Sequence, residues 1–248
     1  MSKRIRHTRA AISACEFALR VAGGWCNPGR TTAEVALAVG GCLAQRGATP
    51  VFRGIGGFPA DVCVSVDDEV AHAVPGDRVL QEGDLVKVDV GARVGDWLAD
   101  CAWTFVCGGA HRSPERERLF GAGLAALRAG VAAARPWARV IDVGNAVFDV
   151  ATAAGVSVVK QMCGHGIGKQ LHEQPPILNY PDPRLAAVHF KPGFAYSVEP
   201  ILALGSGVIK KDGDHLIRTE DGQPSVHFER TFICLAQEPP WSPPLAGV

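Results

Sequence analysis

The stretch that decides the fold lies in the first half of the chain, where residues 85–105 read LVKVDVGARVGDWLADCAWTF. On both sides of a central Arg-Val-Gly-Asp segment, successive residues alternate between two faces at the period of a β-strand, which predicts a hairpin. A turn centred between Val94 and Gly95 places Asp89 directly opposite Asp100. Directly opposed Cβ atoms lie about 4.5–5.5 Å apart, and like charges there destabilise the pair. The two acids therefore require a shared proton or a cation, unless the hairpin is an exposed edge with solvated acids.

Two further acids lie in strand-like runs of the second half of the chain. Glu199 lies in FAYSVEPILAL, and Glu229 lies in VHFERTFICL, where it shares a face with His227. Between the two runs, Asp212-Gly213 is a favourable hairpin turn. This turn predicts that the two strands return to one place.

A glycine-rich segment, GHGIGKQLH at residues 164–172, supplies an imidazole. Its alternate glycines disfavour a helix and favour a loop that another chain segment approaches closely. A lone histidine is more often structural than a ligand, but His165 has glycine on both sides in a chain with four strand acids. Carboxylates with one imidazole suit Mn(II), Fe(II), Co(II) or, less specifically, Zn(II). Four carboxylates are too many negative ligands for one ion, and the set matches a bridged pair of ions.

The rest of the sequence alternates between helical and strand-like patterns. The second helix is predicted to be capped by Thr31 or Thr32 and to end at Gly47. The order helix–helix–strands occurs twice. The predicted segments are two helices within residues 1–47, strands over 51–105, helices over 114–134 and 140–154, and strands from 156 to about 235.

Two pairs of similar segments indicate that the two halves are related. GDLVKVD, which ends at Asp89, resembles GFAYSVE, which ends at Glu199, and AWTFVC resembles ERTFIC. We therefore expect a single catalytic domain with a site between its two halves. The predicted division is residues 1–248 for the domain, about 1–112 and 113–236 for the half-repeats, and 237–248 for a Pro-rich surface tail.

Composition limits the classes of function. Of the 248 residues, 47% are hydrophobic, and 25 Lys and Arg balance 25 Asp and Glu, so we expect a buried core and no specific nucleic acid binding. The sequence contains no run of 18 apolar residues, which excludes a transmembrane helix, and residues 10–24 resemble an amphipathic helix more than a signal peptide. Eight cysteines without a Cys-x-x-Cys pair predict reduced thiols in a cytoplasmic protein. A basic cluster is a solvated helix end or, with weaker support, a ribosome contact; it comprises Lys3, Arg4, Arg6 and Arg9.

With these groups in place, the sequence resembles the type I bacterial form of the methionine aminopeptidase family, which has the pita-bread fold. That family orders its ligands Asp, Asp, His, Glu, Glu, and its first two acids are 11 residues apart, as Asp89 and Asp100 are. A GHGIG segment with histidines seven apart, a Glu-Pro pair and a Glu before Thr also match. The segment GFPADVCVSVDDEVAHAVP follows the family segment that carries a substrate-side histidine, here His72. The resemblance extends from the first helix to about residue 236.

This resemblance implies an α+β fold of two pseudo-symmetric helix–helix–strand halves around a central antiparallel sheet. It also implies two divalent metal ions. The ligands carried over are Asp89 on one ion, Asp100 and Glu229 bridging both, and His165 and Glu199 completing the second.

The implied activity is removal of N-terminal methionine from nascent proteins and peptides, by attack of a metal-bridged hydroxide on the first peptide bond. Glu199 is then the proton shuttle, His172 stabilises the oxyanion and His72 contacts the scissile amide. The free amine of the substrate would bind at the metal pair. Nothing in the sequence demands more than a monomer.

The predicted substrate pocket departs in part from the family pattern. Phe58 and Cys63 fit a pocket of aromatic residues and a cysteine. By contrast, Ile55, Leu171 and His215 fall where a Tyr, a Phe and a Trp are expected. Because a thioether prefers soft, polarisable contacts, methionine selectivity is less firmly predicted than hydrolysis.

Three hypotheses therefore stay open at this point. The first is a methionine aminopeptidase, and the second is a specialised peptidase of the same fold with another preference, such as X-Pro cleavage. The third is a non-catalytic binding module. The complete set of five metal-ligand residues argues against the module, whereas the altered pocket keeps the specialised peptidase open.

Overall fold

The structure is a computed structural model that describes residues 2–236. The predicted tail at 237–248 lies outside the described residues. The helices confirm the predicted order of two in each half, and they are Lys3–Trp25 (α1), Thr32–Leu43 (α2), Pro114–Ala133 (α3) and Val140–Ala153 (α4).

Strands follow each pair of helices. In the first half they are Thr49–Pro50 (β1), Cys63–Val66 (β2), Glu69–Ala71 (β3), Leu85–Val94 (β4) and Trp97–Val106 (β5). In the second half they are Ser157–Val158 (β6), Gly164–Ile167 (β7), Glu173–Ile177 (β8), Ala195–Val198 (β9), Ile201–Ala203 (β10), Ile209–Asp212 (β11), Leu216–Thr219 (β12), Ser225–His227 (β13) and Glu229–Ile233 (β14).

Helix α2 begins where the sequence predicts and ends earlier. The Thr31 hydroxyl accepts a hydrogen bond from the Glu34 N–H, and the Glu34 carboxylate accepts one from the Thr31 N–H, which is a capping box. The helix stops at Leu43, residues 44–46 form a 3₁₀ turn, and Gly47 adopts φ +63°. The glycine therefore ends the turn after the helix, and the predicted helix end at Gly47 was late by this one turn.

The central sheet is antiparallel and runs in the order β1-β4-β5-β14-β9-β7-β8, with β2 also paired to β4. First-half strands lie on one side and second-half strands on the other, and they join where β5 pairs with β14. The similar segments AWTFVC and ERTFIC begin in these two strands, although their common origin stays a prediction.

One face of this sheet is covered by helices. Val86, Val88 and Val90 belong to a buried core that includes residues from all four helices. Because side chains alternate along a strand, Asp89 points to the opposite face. The face away from the helices is therefore the one that carries the acids.

The register of the β4–β5 hairpin differs from the prediction. Val94 pairs with Trp97, so Asp89 lies opposite Ala102 and not opposite Asp100. The two-residue loop starts at Gly95, whose φ of +59° suits the positive φ that such loops require. The predicted direct opposition was wrong, but the two acids stay on one face as diagonal neighbours, which are about 7–8 Å apart at the backbone.

The Asp212-Gly213 turn also has a different role from the one predicted. It joins β11 to β12 in a separate sheet with β3. The strands that precede Glu199 and contain Glu229, β9 and β14, instead pair directly with each other. The two acids do meet, through that pairing and not through the turn.

Both of these acids lie where the chain passes between two sheets. β9 and β14 belong to the central sheet, whereas β10 and β13 belong to a small sheet with β6. The Phe228 N–H donates to the Pro200 carbonyl at 3.2 Å, where both connections cross. Glu199 and Glu229 are therefore held at the junction of the two sheets.

Two expectations from composition can be compared with the fold. Within residues 2–236, every helix is too short or too polar to cross a membrane. The eight cysteines all lie in the described range and are free, and seven of them are buried.

Candidate metal centre

The structure brings the five predicted metal ligands to one cavity of about 550 Å³. Each comes from a different strand or strand end, and these strands are consecutive in the sheet order β4-β5-β14-β9-β7. In that order the side chains are Asp89, Asp100, Glu229, Glu199 and His165. Five neighbouring strands therefore direct one ligand-type side chain each into the same space.

Glycine positions explain how His165 reaches this cavity. A Cβ on Gly164 would lie 2.2 Å from the Ser197 carbonyl oxygen, and one on Gly166 would lie 2.3 Å from the Gln174 carbonyl oxygen. Any side chain at these two positions would push β7 away from its neighbours. The glycines thus allow the close approach that the sequence predicts.

The possible ligand atoms form two groups that share one carboxylate. Donor atoms of Asp100, His165 and Glu229 lie within 4.8 Å of one another, and so do those of Glu199, His227 and Glu229. His165 Nε2 lies 3.9 Å from Glu229 Oε1, and His227 Nε2 lies 3.7 Å from Glu229 Oε2. Two ions that share Glu229 could occupy these groups. Asp89 belongs to neither group, and His165 and Glu199, which were predicted to hold the same ion, fall in different groups.

The four carboxyl groups are at least 91% buried and repel one another. Burial, together with neighbouring acids, raises the pKa of Asp89, Glu199 and Glu229 well above the usual values, and burial raises the pKa of Asp100. Burial also lowers the pKa of His165 to about 4. This imidazole is therefore neutral at pH 7 and does not offset the negative charge of the acids.

Unpaired polar atoms show that the residues fit a divalent metal. Asp89 Oδ1, Asp100 Oδ1 and His165 Nε2 are buried and have no hydrogen-bond partner among the described residues. His165 Nδ1 donates to the Gly166 carbonyl at 2.9 Å, so its Nε2 carries the free lone pair. The Ser197 hydroxyl donates to Glu229. Oxygen-rich donors with imidazole suit divalent transition ions.

Two further predicted residues lie at the open side of the cavity. His172 is exposed, and its ring lies 4.6 Å from the His165 ring, edge to face. His72 directly follows β3, is exposed, and has φ +58°, which is uncommon for a residue with a side chain. The Lys87 ammonium donates to the carbonyls of Asp67 and Ser225, so the segment before His72 is tied to the strand before Glu229.

The predicted pocket residues all line the same cavity. Phe58, Cys63 and Leu171 are buried in a small apolar cluster that also contains Phe52, whereas Ile55 is 45% exposed. The His215 ring packs edge to face on the Phe58 ring, with centroids 5.4 Å apart. The structure places these side chains together, and their contacts with a substrate stay a prediction.

His227 is a cavity residue to which the sequence analysis assigned no role. The signal was present, because His227 alternates with Glu229 and so shares its face. Phe52 was missed as well, because the loop that carries it has no periodic pattern. Contacts made by such loops depend on tertiary packing.

A model of metallopeptidase family M24 matches residues 6–234. The chain belongs to metallopeptidase family M24. The description of this family as metallopeptidases agrees with a candidate metal centre, and the match confirms the resemblance stated from the motifs.

Individual M24 relatives agree in sequence and in fold. Methionine aminopeptidase 1 of Bacillus subtilis strain 168 is 34% identical over 206 residues, covering 83% of this chain and 82% of that protein. The crystal structure of methionine aminopeptidase from Thermotoga maritima superposes with a TM-score of 0.90 at 30% identity, covering 95% of this chain and 94% of that one. A prolidase from Pyrococcus furiosus shares the fold, with a TM-score of 0.75 at 21% identity, and 62% of its chain is covered. The pita-bread α+β fold is thereby confirmed.

The raised carboxyl pKa values predict that the metal-free protein loses stability as pH rises. Between its usual pKa of about 4 and its raised value, each of these carboxyls binds more protons in the folded state than in the unfolded state. Buried histidines act in the opposite sense below about pH 6.5, because their pKa values are lowered, so the free energy of unfolding falls with increasing pH above about pH 6.5. Metal binding requires deprotonated ligands, and therefore the stabilisation by metal should grow over the same interval. Thermal unfolding with EDTA and with MnCl₂ at pH 5, 6, 7 and 8 measures both trends. A metal-induced Tm shift that is equal at every pH would contradict this explanation.

Proposed function

We propose that this chain is a dinuclear metal-dependent aminopeptidase that removes N-terminal methionine from nascent proteins and peptides. The observation that carries the proposal is the set of five ligand-type side chains on consecutive strands, facing a cavity with an apolar pocket beside it. Family membership and the similarity to methionine aminopeptidases support it.

In this proposal Asp89 would hold one ion, Asp100 and Glu229 would be shared by both ions, and His165 and Glu199 would hold the second. Fe(II), Mn(II) or Co(II) suit the oxygen-rich set, and Zn(II) is a further option. When bound, the ions would lower the pKa of a water molecule to near 7 and polarise the first peptide carbonyl.

The other steps belong to side chains of this chain. The free N-terminal amine of a peptide would bind at the centre that these ligands form, which favours an exopeptidase over an endopeptidase. Glu199 carries the proton from the attacking water to the leaving amine, His172 donates to the developing oxyanion, and His72 contacts the scissile amide. The positions of all three on one cavity support these roles.

The apolar cluster beside the ligands is the proposed site of the methionine side chain. Phe58, Cys63 and Phe52 offer the polarisable surface that a thioether prefers. One observation favours a second candidate function, a specialised peptidase of the same fold. Ile55, Leu171 and His215 line the cavity where the family resemblance leads us to expect aromatic residues.

A peptide panel distinguishes the two functions. The panel contains peptides that start with Met-Ala, Met-Gly, Met-Lys, Leu-Ala and Ala-Pro, and mass spectrometry follows cleavage by metal-stripped protein with Mn(II), Fe(II) or Co(II) restored. We expect metal-dependent release of Met before Ala and Gly and not before Lys. Metal-dependent cleavage of Leu-Ala or Ala-Pro in preference to the Met peptides would favour the specialised peptidase. No cleavage of any peptide, with no bound metal, would favour a binding module.

The proposed setting is the cytoplasm, where a monomer would meet nascent chains. In the basic cluster at the start of α1, the Arg4 guanidinium lies 4.5 Å from the centroid of the Phe194 ring. One of the four basic residues predicted to contact a ribosome thus makes a cation–π contact within the protein itself. This contact favours the alternative that the cluster is a solvated helix end.

A further inference from the structure

The His227 side chain has the features of a metal ligand, although it is not among the five ligands that the family resemblance implies. His227 is the last residue of β13, it lines the central cavity, and it is 3% exposed. Its Nε2 is buried and has no hydrogen-bond partner among residues 2–236. A buried imidazole nitrogen without a partner is costly unless something fills the position it faces.

Glu229 lies between two imidazoles, each with a buried Nε2 that has no hydrogen-bond partner among the described residues. Its Oε1 is 3.9 Å from His165 Nε2, and its Oε2 is 3.7 Å from His227 Nε2. Two ligands of one ion at metal–ligand distances of about 2.0–2.2 Å lie roughly 3–3.5 Å apart. Both separations are within a few tenths of an ångström of that value, so His227 is as close to the shared carboxylate as the predicted ligand His165.

The backbone of His227 is held in the same way as the backbone of Asp100. The Thr104 hydroxyl accepts from the His227 N–H at 2.9 Å and donates to the His227 carbonyl at 2.8 Å. The Thr231 hydroxyl makes the same pair of bonds, both 2.8 Å, with Asp100. The two threonine contacts are reciprocal. Thr104 lies in β5, the strand that contains Asp100, and Thr231 lies in β14, the strand that follows His227.

The sequence repeat places Asp100 and His227 in equivalent positions of the two halves. When AWTFVC at 102–107 is aligned with ERTFIC at 229–234, Thr104 corresponds to Thr231 and Asp100 corresponds to His227. Contacts and sequence therefore agree that His227 occupies in the second half the place that a predicted ligand occupies in the first.

We infer that His227 is a second imidazole ligand of the metal centre, at the position where Glu199 and Glu229 converge. This inference rests on the proposed dinuclear peptidase. It adds a neutral nitrogen donor to four carboxylates and one imidazole. Because imidazole suits Co(II) and Zn(II) better than Mn(II), His227 should shift the preference of this centre toward Co(II) and Zn(II).

The test compares wild-type, His227→Gln and His215→Gln proteins, all stripped of metal and titrated with CoCl₂ or MnCl₂ by calorimetry and visible absorption. For His227→Gln we expect at least about 10-fold weaker Co(II) binding at one of two sites and a changed Co(II) spectrum, with a smaller loss for Mn(II). His215 lines the same cavity but belongs to neither ligand group, so the His215→Gln protein should keep the wild-type Co(II) affinity. Circular dichroism of the metal-free proteins reports whether each variant folds.

A measurement on the wild-type protein keeps the inference testable if His227→Gln does not fold. Proton NMR of the Co(II)-loaded protein shows one exchangeable, hyperfine-shifted signal for each coordinated imidazole whose N–H is retained. We expect two such signals from the wild type and one from His227→Gln. Two bound ions with a single imidazole signal, or an unchanged Co(II) affinity and spectrum in His227→Gln, would overturn the role of His227 and leave the peptidase intact. No Co(II) binding by the wild type would instead overturn the proposed function itself.

Discussion

Replacing Asp100 with Asn is expected to abolish peptidase activity and, at the same time, to raise the stability of the metal-free protein. Asp100 belongs to the ligand group with His165 and Glu229, and the neutral amide is a poor substitute for a bridging carboxylate. Residues that only orient a ligand contribute about 10–100-fold to metal affinity, so loss of a ligand should lower activity by more than about 100-fold. Asp89→Asn should behave in the same way.

The gain in stability has an electrostatic origin. Asp100 is 95% buried beside three other acids, and the pKa values of all four are raised. At pH 7 the metal-free protein therefore folds against the cost of burying and crowding these groups. Asn at position 100 removes one of them, and with it the repulsion that Asp100 exerts on Asp89, Glu199 and Glu229.

Activity on a Met-Ala peptide, metal content and thermal unfolding in EDTA test the two effects together. Asp96→Asn is the matched control, because Asp96 lies in the loop of the same hairpin and its side chain is 65% exposed. It should keep wild-type activity and metal content. An Asp100→Asn protein with full activity would show that this carboxylate is not a required ligand. A lower Tm than the wild type in EDTA would contradict the electrostatic explanation.

The identity of the metal-ligand residues could be predicted from the sequence because strand periodicity fixes which face a residue occupies. The observed register of the hairpin differs from the predicted one by two residues. An even shift leaves every side chain on its original face, so Asp89 and Asp100 still share a face. The register itself depended on a local choice, namely which residue of the Val94-Gly95 pair begins the loop. The positive φ of Gly95 decides this.

Other features depend on contacts between distant segments and could not be predicted in this way. The run from 226 to 235 has the alternation of one strand, yet it divides at Phe228 because the Pro200 carbonyl accepts its N–H there. The same holds for His227, whose position beside Glu199 follows from the pairing of β10 with β13. The roles of His72 and His172 came from the family resemblance, since single exposed histidines carry no pattern.

Replacing His172 with Ala is expected to leave metal binding intact and to lower kcat by about 100-fold, the effect of losing an oxyanion donor. His172 lies outside both ligand groups, on the open side of the cavity, with its ring 4.6 Å from that of His165. Desolvation in the cavity lowers its pKa from the usual value of about 6.5, so at pH 7 the ring is largely neutral and donates through one N–H. Because the interaction strengthens as the oxyanion forms, kcat should fall while KM changes little.

Steady-state kinetics on a Met-Ala peptide distinguish oxyanion stabilisation from positioning of His165 and from substrate binding. Co(II) content and spectrum are measured on the same samples. His172→Gln retains a donor and should recover part of the lost kcat. Lys169→Ala is the matched control, since Lys169 lies in the same segment with its side chain 63% exposed, and it makes surface contacts with Asp96 and the Trp97 ring. A loss of Co(II) in His172→Ala would make His172 a residue that positions His165, and a rise in KM with unchanged kcat would make it a residue for substrate binding alone. Either result would remove His172 from oxyanion stabilisation, because that role acts only on the transition state.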